Sequence, residues 1–253
     1  MLDAVFLNVP LAHRALHDLS AGRPENSRAA IRAAVSAGYG IEIDLQLSAD
    51  GHAMCFHDYD LGRLTGEKGP VQRRSAAELG QIQLTGGDEG IPSFAEVLDI
   101  VAGQVPLLVE IKDQDGLMGP NVGLLEQAAA TDAQTYEGPL AFMSFNPNSV
   151  AALAEIAPQF ARGLVTDAYS AEDWPILPPR VRDALRDIPD FERVGASFIS
   201  QQASSLGLPQ VADLKARGVP VLCWTIRSAE AEAKAREIAD NVTFEGYLAE
   251  IPA

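Results

Sequence analysis

The feature that most constrains the fold is a repeated alternation of short aliphatic runs with Ala-rich helical patterns along nearly the whole chain. Eight runs are predicted to be strands: Val5–His13, Tyr39–Leu47, Val105–Lys112, Leu140–Phe145, Ala161–Thr166, Ala196–Ser200, Val219–Ile226 and Val242–Leu248. Continuous apolar strands separated by helices are typical of a parallel sheet that helices cover on its outer face. Eight such strands in 253 residues favour a closed α/β TIM (β/α)₈ barrel over an open sheet.

The segments between the strands carry helix signals. The predicted helices are Ser27–Ala37, Phe94–Ala102, Val122–Ala130, Ser149–Ile156, Ser205–Arg217 and Ala229–Ile238. Two connections are long: residues 48–103, which open with a hairpin-like piece over Gly51–Leu61, and Asp167–Arg193. Connections that follow the strands of a TIM barrel line the face that carries the active site. We therefore predict one domain over residues 1–253 with a small insertion over about 48–103 after the second strand.

Charge and composition exclude several classes of partner. The chain has 19 basic and 35 acidic residues, a net charge of −16, which repels nucleic acid and anionic membrane surfaces. The longest uncharged stretch, Gly138–Ala154, is interrupted by Pro and Asn, so no stable membrane insertion is predicted. Cys55 and Cys223 are too few for a disulfide framework and are predicted to be buried thiols, which favours a cytoplasmic setting. The oligomeric state is left open.

Carboxylates occur on strands where a barrel should be apolar. Strand alternation places Glu42 and Asp44 on one face of the second strand, and Glu110 and Lys112 share a face of the third. Buried carboxylates are costly to ionise unless a cation compensates them. Three of them meeting at one rim would form a hard oxygen site for one divalent cation, Mg²⁺ or Ca²⁺. The alternative is a structural ion pair between Lys112 and one of the acids.

Two of the four histidines stand at the ends of predicted elements. His13 ends the first strand and His57 closes the hairpin after the second, so both are candidates for proton transfer near neutral pH. His17 and His52 lie in polar, turn-like segments, and we interpret both as solvated surface residues. A cation, two imidazoles and a guanidinium at one rim suit phosphodiester cleavage, in which positive charge stabilises the phosphate of the transition state.

Further residues are candidates for contact with the substrate. Arg14 can bind an anionic oxygen through its planar fork, or form an ion pair with Glu25 or Glu42. Trp224, near the end of the seventh strand, lines a pocket or packs in the core. Three residues after the fifth strand are weaker candidates for contact with an apolar group of the substrate: Trp174, Ile176 and Leu177.

With these residues in place, the sequence resembles the glycerophosphodiester phosphodiesterase family over most of its length. The matching segments are His13–Arg14, Pro24–Ser27, Ile41–Asp44, Asp50–Gly51, His57–Asp58, Leu61–Thr65, Ile91–Leu98, Glu110–Lys112, Ser144–Phe145 and Trp224–Thr225. Each is weak alone, but their order and spacing together are specific.

The resemblance implies a TIM barrel that hydrolyses glycerophosphodiesters to glycerol 3-phosphate and an alcohol. It implies Mg²⁺ or Ca²⁺ on Glu42, Asp44 and Glu110, with His13 and His57 as the acid/base pair. Arg14 and Lys112 match positions that contact phosphate, and Trp224 is a candidate contact of the small-molecule substrate. Two alternatives stay open: a lysophospholipase D-type or cyclising lyase of the same superfamily, and a non-catalytic phosphate-binding barrel.

Three features depart from the family's pattern. Ala15 stands where Gly usually follows His-Arg, the connection over residues 15–23 is longer than usual, and Thr243–Gly246 replaces the common Thr-Asp-x-Pro. These departures leave the predicted catalytic and metal positions intact, but they affect the expected shape of the substrate pocket.

Overall fold

Eight parallel strands close into a barrel in the computed structural model, which describes residues 1–252. The described residues form nine strands, of which all but β3 belong to the barrel: β1 (Leu11–Ala12), β2 (Gly40–Leu47), β3 (Ala53–Cys55), β4 (Leu107–Ile111), β5 (Leu140–Ser144), β6 (Ala161–Thr166), β7 (Phe198–Gln202), β8 (Val221–Ile226) and β9 (Asn241–Phe244). The barrel order is β1-β2-β4-β5-β6-β7-β8-β9, and β1 also pairs with β9, so no edge is left open. The predicted TIM barrel is confirmed.

Helices connect the strands on the outside of the barrel. They are α1 (Val5–Asn8), α2 (Arg28–Ala37), α3 (Ala76–Leu79), α4 (Phe94–Val101), α5 (Leu124–Asp132), α6 (Pro147–Ile156), α7 (Pro179–Arg186), α8 (Pro209–Ala216) and α9 (Ala229–Ala235). Ser27 caps α2 by accepting a hydrogen bond from the backbone N–H of Ala30, and Gly38 ends the helix in the left-handed conformation. Among the described residues, no helix has both the length and the apolar character that crossing a bilayer requires.

The first predicted strand is mostly wrong. Only Leu11 and Ala12 pair in the barrel, while Val5–Asn8 forms the short helix α1. The side chain of Phe6 is 1% exposed and packs against the residues inside the barrel. The side-chain amide of Asn241 donates to the carbonyl oxygens of Phe6 and Val9, at 2.8 and 2.6 Å. The apolar run therefore closes the N-terminal end of the barrel, where a helix satisfies its own backbone and still buries the same side chains.

The insertion after β2 has a small core of its own. β3 pairs antiparallel with β2 as a hairpin, with Cys55 opposite Leu45. Beyond it, residues of the insertion form a separate buried cluster: Met54, Phe56, Leu61, Val71, Leu79, Leu84 and Ile91. Cys55 and Cys223 are buried free thiols, as predicted.

Alternation along β2 separates an apolar face from a polar one. Ile41, Ile43 and Leu45 belong to the core between the strands and the outer helices. Glu42 and Asp44 point the other way, into the barrel, and both are buried. The inside of the barrel is thus apolar toward the end that α1 closes and charged toward the opposite rim.

We expect Phe6→Ala to lower the free energy of unfolding by about 3–5 kcal/mol, because it leaves a cavity under the barrel that α1 cannot fill by collapse. Urea denaturation followed by circular dichroism measures the change. Leu124→Ala, at a side chain that is 76% exposed, is the matched control and should change the free energy by less than about 0.5 kcal/mol. Equal effects of the two substitutions would contradict the role given to α1.

Candidate active site

The three predicted carboxylates meet at the C-terminal rim of β2 and β4. The two strands pair in register with Asp44 opposite Glu110, and Glu42 lies two residues earlier on the inward face of β2. Each residue offers one carboxylate oxygen such that the three oxygens lie within 4.8 Å of one another, and all three side chains are buried. A set of three clustered carboxylate oxygens is a suitable donor set for Mg²⁺ or Ca²⁺.

Lys112 neutralises part of this cluster. Its Nζ lies 2.8 Å from Asp44 Oδ1 and 2.8 Å from Glu110 Oε1. Asn26 donates to Asp44 Oδ2 at 2.9 Å, and the Nε of Arg14 lies 3.7 Å from the same oxygen. Burial opposes ionisation of Asp44, but the charge of Lys112, assisted by His57 and Arg14, holds the pKa of Asp44 well below its ordinary value.

Among residues 1–252, no cationic side chain forms an ion pair with Glu42. Its Oε2 accepts a hydrogen bond from the backbone N–H of Arg14 at 2.9 Å. Burial, together with the charges of Asp44 and Glu110, raises the pKa of Glu42 well above its ordinary value. The predicted ion pair of Lys112 with the acids therefore exists but leaves the third carboxylate uncompensated. The residues fit a divalent cation held by Glu42, Asp44 and Glu110, since its charge would allow all three to ionise.

Both predicted catalytic histidines line the same cavity as the carboxylates. His13 follows β1, and its Nδ1 lies 2.5 Å from Oε2 of Glu245. His57 follows the hairpin, and its Nδ1 lies 2.7 Å from Oδ1 of Asp58. In each ring a carboxylate engages Nδ1, which leaves Nε2 as the nitrogen available to the cavity. Burial lowers the pKa of His13, and the hydrogen bond to Glu245 opposes that effect.

The other two histidines differ from each other. His52 is exposed, as predicted. His17 is not a solvated surface residue: its side chain is 25% exposed, and its Nε2 lies 3.6 Å from Oε2 of Glu245. The prediction for His17 was wrong because the turn that carries it folds back under the end of β9, which the local polar pattern does not reveal.

An ion-pair network connects the two sides of the rim. Arg14 Nη1 donates to Glu25 at 2.8 Å, and Arg63 donates to both Glu25 and Asp58.

Arg14 and Ala15 have φ values of 52° and 65°, in the left-handed region that favours glycine. Ala15 thus adopts the turn that the family's glycine would adopt more easily. The Nε of Arg14 is buried and forms no hydrogen bond within the protein, and it lies 3.7 Å from Asp44 Oδ2.

One cavity of about 440 Å³ unites the predicted site residues. Its charged side includes His13, Arg14, Glu42, Asp44, His57, Glu110 and Lys112. The opposite side is apolar: Met118, Met143, Phe145, Val165, Trp174 and Trp224.

Aromatic rings build the apolar side. The centroid of Phe145 lies 5.0 Å from that of Trp174 and 5.6 Å from that of Trp224. The indole N–H of Trp224 donates to the carbonyl of Ser200 at 3.0 Å, which orients the ring. Of the other predicted apolar contacts, Ile176 is 72% exposed and Leu177 is buried, and neither lines the cavity.

Sequence reasoning missed several residues that support the site. Asn26 precedes Ser27, which is the cap of α2. With φ 57°, Asn26 instead turns its side chain onto Asp44. Glu245 was noted only as a departure from the family's pattern, and its contact with His13 joins residues 232 positions apart. For His57 the sequence did offer a signal of such support: Asp58 is its neighbour in the chain, and a carboxylate next to a histidine often orients the ring.

Comparison with known proteins gives one consistent family. The model of the Glycerophosphoryl diester phosphodiesterase family matches residues 13–242. A glycerophosphodiester phosphodiesterase of Caldanaerobacter subterraneus subsp. tengcongensis is 30% identical over 161 residues, which cover 60% of this chain and 65% of the relative. The alignment thus spans slightly less than two thirds of that relative's length.

Solved structures agree over nearly the full chain. A phosphodiesterase of Oleispira antarctica, solved in complex with the product sn-glycerol-3-phosphate, superposes with a TM-score of 0.76 at 26% identity, covering 94% of this chain and 93% of that one. A glycerophosphodiester phosphodiesterase of Thermotoga maritima superposes with a TM-score of 0.69 at 22% identity, covering 93% and 94%. The second likeness concerns the fold alone.

We expect Mg²⁺ or Ca²⁺ to raise the melting temperature of the chelator-treated protein, because the cation binds the folded cluster and not the unfolded chain. Binding must displace the proton that the raised pKa of Glu42 retains. The affinity should therefore fall as the pH falls, by up to about tenfold per pH unit below that pKa. Calorimetric titration at several pH values measures it.

Two Glu→Gln substitutions test the cation prediction, one at a predicted ligand and one at a control position. Glu42→Gln should weaken binding and flatten its pH dependence, whereas Glu155→Gln, at an exposed position on α6, should leave both unchanged. Cation binding that is equally tight and equally pH-dependent in Glu42→Gln would show that the cation binds elsewhere.

Proposed function

The chain belongs to the glycerophosphoryl diester phosphodiesterase family, and from this premise we propose that it hydrolyses glycerophosphodiesters to glycerol 3-phosphate and an alcohol. The observation that carries the proposal is the convergence, in one cavity, of three clustered carboxylates, two imidazoles and two cationic side chains. The product named in the Oleispira antarctica complex supports the same product here.

The charged side of the cavity suits a phosphodiester. A Mg²⁺ or Ca²⁺ ion on Glu42, Asp44 and Glu110 would supply positive charge that stabilises the phosphate oxygens in the transition state. Arg14 also lines this part of the cavity, and its guanidinium would offer a donor for a phosphate oxygen. Lys112, held between Asp44 and Glu110, adds a fixed positive charge in a region that water hardly reaches.

The two imidazoles would divide the proton transfers. The Nε2 of one ring accepts the proton of the attacking oxygen, which belongs to water or to the neighbouring hydroxyl of the substrate. The Nε2 of the other ring donates a proton to the oxygen of the departing alcohol. Each ring can do so because its Nδ1 is held by a carboxylate, Glu245 for His13 and Asp58 for His57.

The apolar side would hold the alcohol group. Phe145, Trp174 and Trp224 present aromatic surface opposite the carboxylates. This surface also favours a second candidate function, the cleavage of lysophospholipids, whose alcohol or acyl portion is larger and more apolar. A cytoplasmic location and the absence of nucleic acid among the partners remain predictions from the sequence.

The direct test uses a metal-free preparation with glycerophosphocholine, glycerophosphoethanolamine, glycerophosphoglycerol and a lysophospholipid. We expect release of free glycerol 3-phosphate from the glycerodiesters only after Mg²⁺ or Ca²⁺ is restored, measured by coupled oxidation of the product. A cyclic phosphate product would identify a lyase instead. Cleavage of the lysophospholipid alone would favour the second candidate, and binding without turnover would identify a phosphate-binding protein.

Replacing either His13 or His57 with Ala should lower kcat by about 10²- to 10⁴-fold, because each removes one proton transfer from the transition state. The melting temperatures should stay close to that of the wild type, which separates lost chemistry from lost folding. His52→Ala, at an exposed histidine, is the control and should retain full activity. Near-normal turnover in either active-site variant would remove that residue from the mechanism.

A further inference from the structure

Three adjacent strand ends place a row of polar side chains at the rim of the barrel. β8, β9 and β1 are neighbours, and their last paired residues are in register with one another. The next residue of each strand is Arg227, Glu245 and His13, respectively. The backbone N–H of His13 donates to the last carbonyl of β9 at 2.9 Å, and that of Glu245 donates to the last carbonyl of β8 at 2.9 Å. The backbone ladder thus holds the three residues side by side.

Each oxygen of the Glu245 carboxylate has its own partner in this row. Oε2 lies 2.5 Å from Nδ1 of His13, and Oε1 accepts from Nε of Arg227 at 2.7 Å. Glu245 is partly buried, with its side chain 19% exposed, whereas Arg227 is 66% exposed and closes the row toward solvent. Because both oxygens are engaged, the carboxylate cannot easily rotate away from the imidazole, and water cannot easily replace it as the partner of Nδ1.

We propose that Glu245 is a positioning residue for the reaction, which holds His13 as the tautomer with its proton on Nδ1 and stabilises the imidazolium that forms when Nε2 takes up a proton. The catalytic part of this inference rests on the proposed function. The second imidazole has the same arrangement, with Asp58 on Nδ1 of His57. The assignment gives a role to Thr243–Gly246, the segment that departs from the family's pattern.

The charges around His13 agree with this role. The hydrogen bond to His13 and the charge of Arg227 hold the pKa of Glu245 well below its ordinary value, so the carboxylate is ionised at neutral pH. Arg14 and Asp44 also act on His13, with opposite signs. A buried imidazolium is costly without an adjacent negative charge, and of the groups that act on His13, Glu245 alone forms a hydrogen bond with its ring.

Steady-state kinetics on glycerophosphocholine test the catalytic part. Glu245→Gln keeps the size of the side chain but removes its charge and permits the other tautomer. We expect kcat to fall by about 10²- to 10⁴-fold, with KM changed by less than about threefold, because the substrate contacts remain. His17→Gln is the matched control: His17 lies near the same carboxylate but does not line the cavity, and kcat should stay within about threefold of the wild type. A folded Glu245→Gln enzyme with normal kcat would overturn the proposal.

Nitrogen NMR of the ¹⁵N-histidine-labelled wild type tests the tautomer without any need for activity or for a stable variant. The signals of His13 are assigned by their loss in His13→Gln. We expect neutral His13 to carry its proton on Nδ1, and we expect the NMR signal of this hydrogen-bonded proton to be strongly deshielded. A neutral ring protonated on Nε2 would overturn the assignment. Absence of turnover by the wild type on every diester would instead count against the proposed function, and the tautomer would still decide the role of Glu245.

Discussion

The incomplete compensation of charge among three buried carboxylates is the constraint on which the site depends. Glu42, Asp44 and Glu110 lie inside the barrel, where ionised groups are stable only with opposite charge beside them. Lys112 serves two of them, and the third is left with a raised pKa. Burying the carboxylates is costly, and it produces a cavity in which added positive charge is needed for electrical balance. Under the proposed function, a cation on these carboxylates would let the cavity accept an anionic substrate even though the whole chain carries a net charge of −16.

The parallel barrel makes such a site possible because it brings the C-terminal ends of distant strands to one rim. His13 follows β1, Glu110 lies near the end of β4, and Glu245 follows β9. Register between neighbouring strands decides which of these side chains touch, as the pairing of Asp44 with Glu110 shows. The opposite end of the barrel is closed by packing: α1 buries Phe6 there, and Asn241 donates to the backbone carbonyls of Phe6 and Val9. The two ends divide chemistry from folding.

Sequence reasoning was reliable where a pattern is local and repeated. The barrel follows from eight periodic apolar runs, and the inward carboxylates follow from alternation along β2. It was unreliable where one apolar run has two ways to be buried, as at Val5–Asn8, which is a helix. It also missed α7, a short helix of eight residues, all of them at least partly exposed. His17 was misplaced because nothing near it in sequence indicates Glu245.

The sequence by itself determined the fold class, the residue types of the site and their order along the chain, because strand periodicity and charge on apolar strands are properties of neighbouring residues. The predicted metal, catalytic and phosphate-contacting residues and Trp224 line one cavity, whereas the weaker candidates Ile176 and Leu177 do not. Only the tertiary structure decided the pairs: Glu245 with His13, Asn26 with Asp44, and Phe145 with the two tryptophans. Such pairs join residues far apart in the chain. Their contacts depend on barrel closure and strand register, which no local pattern specifies.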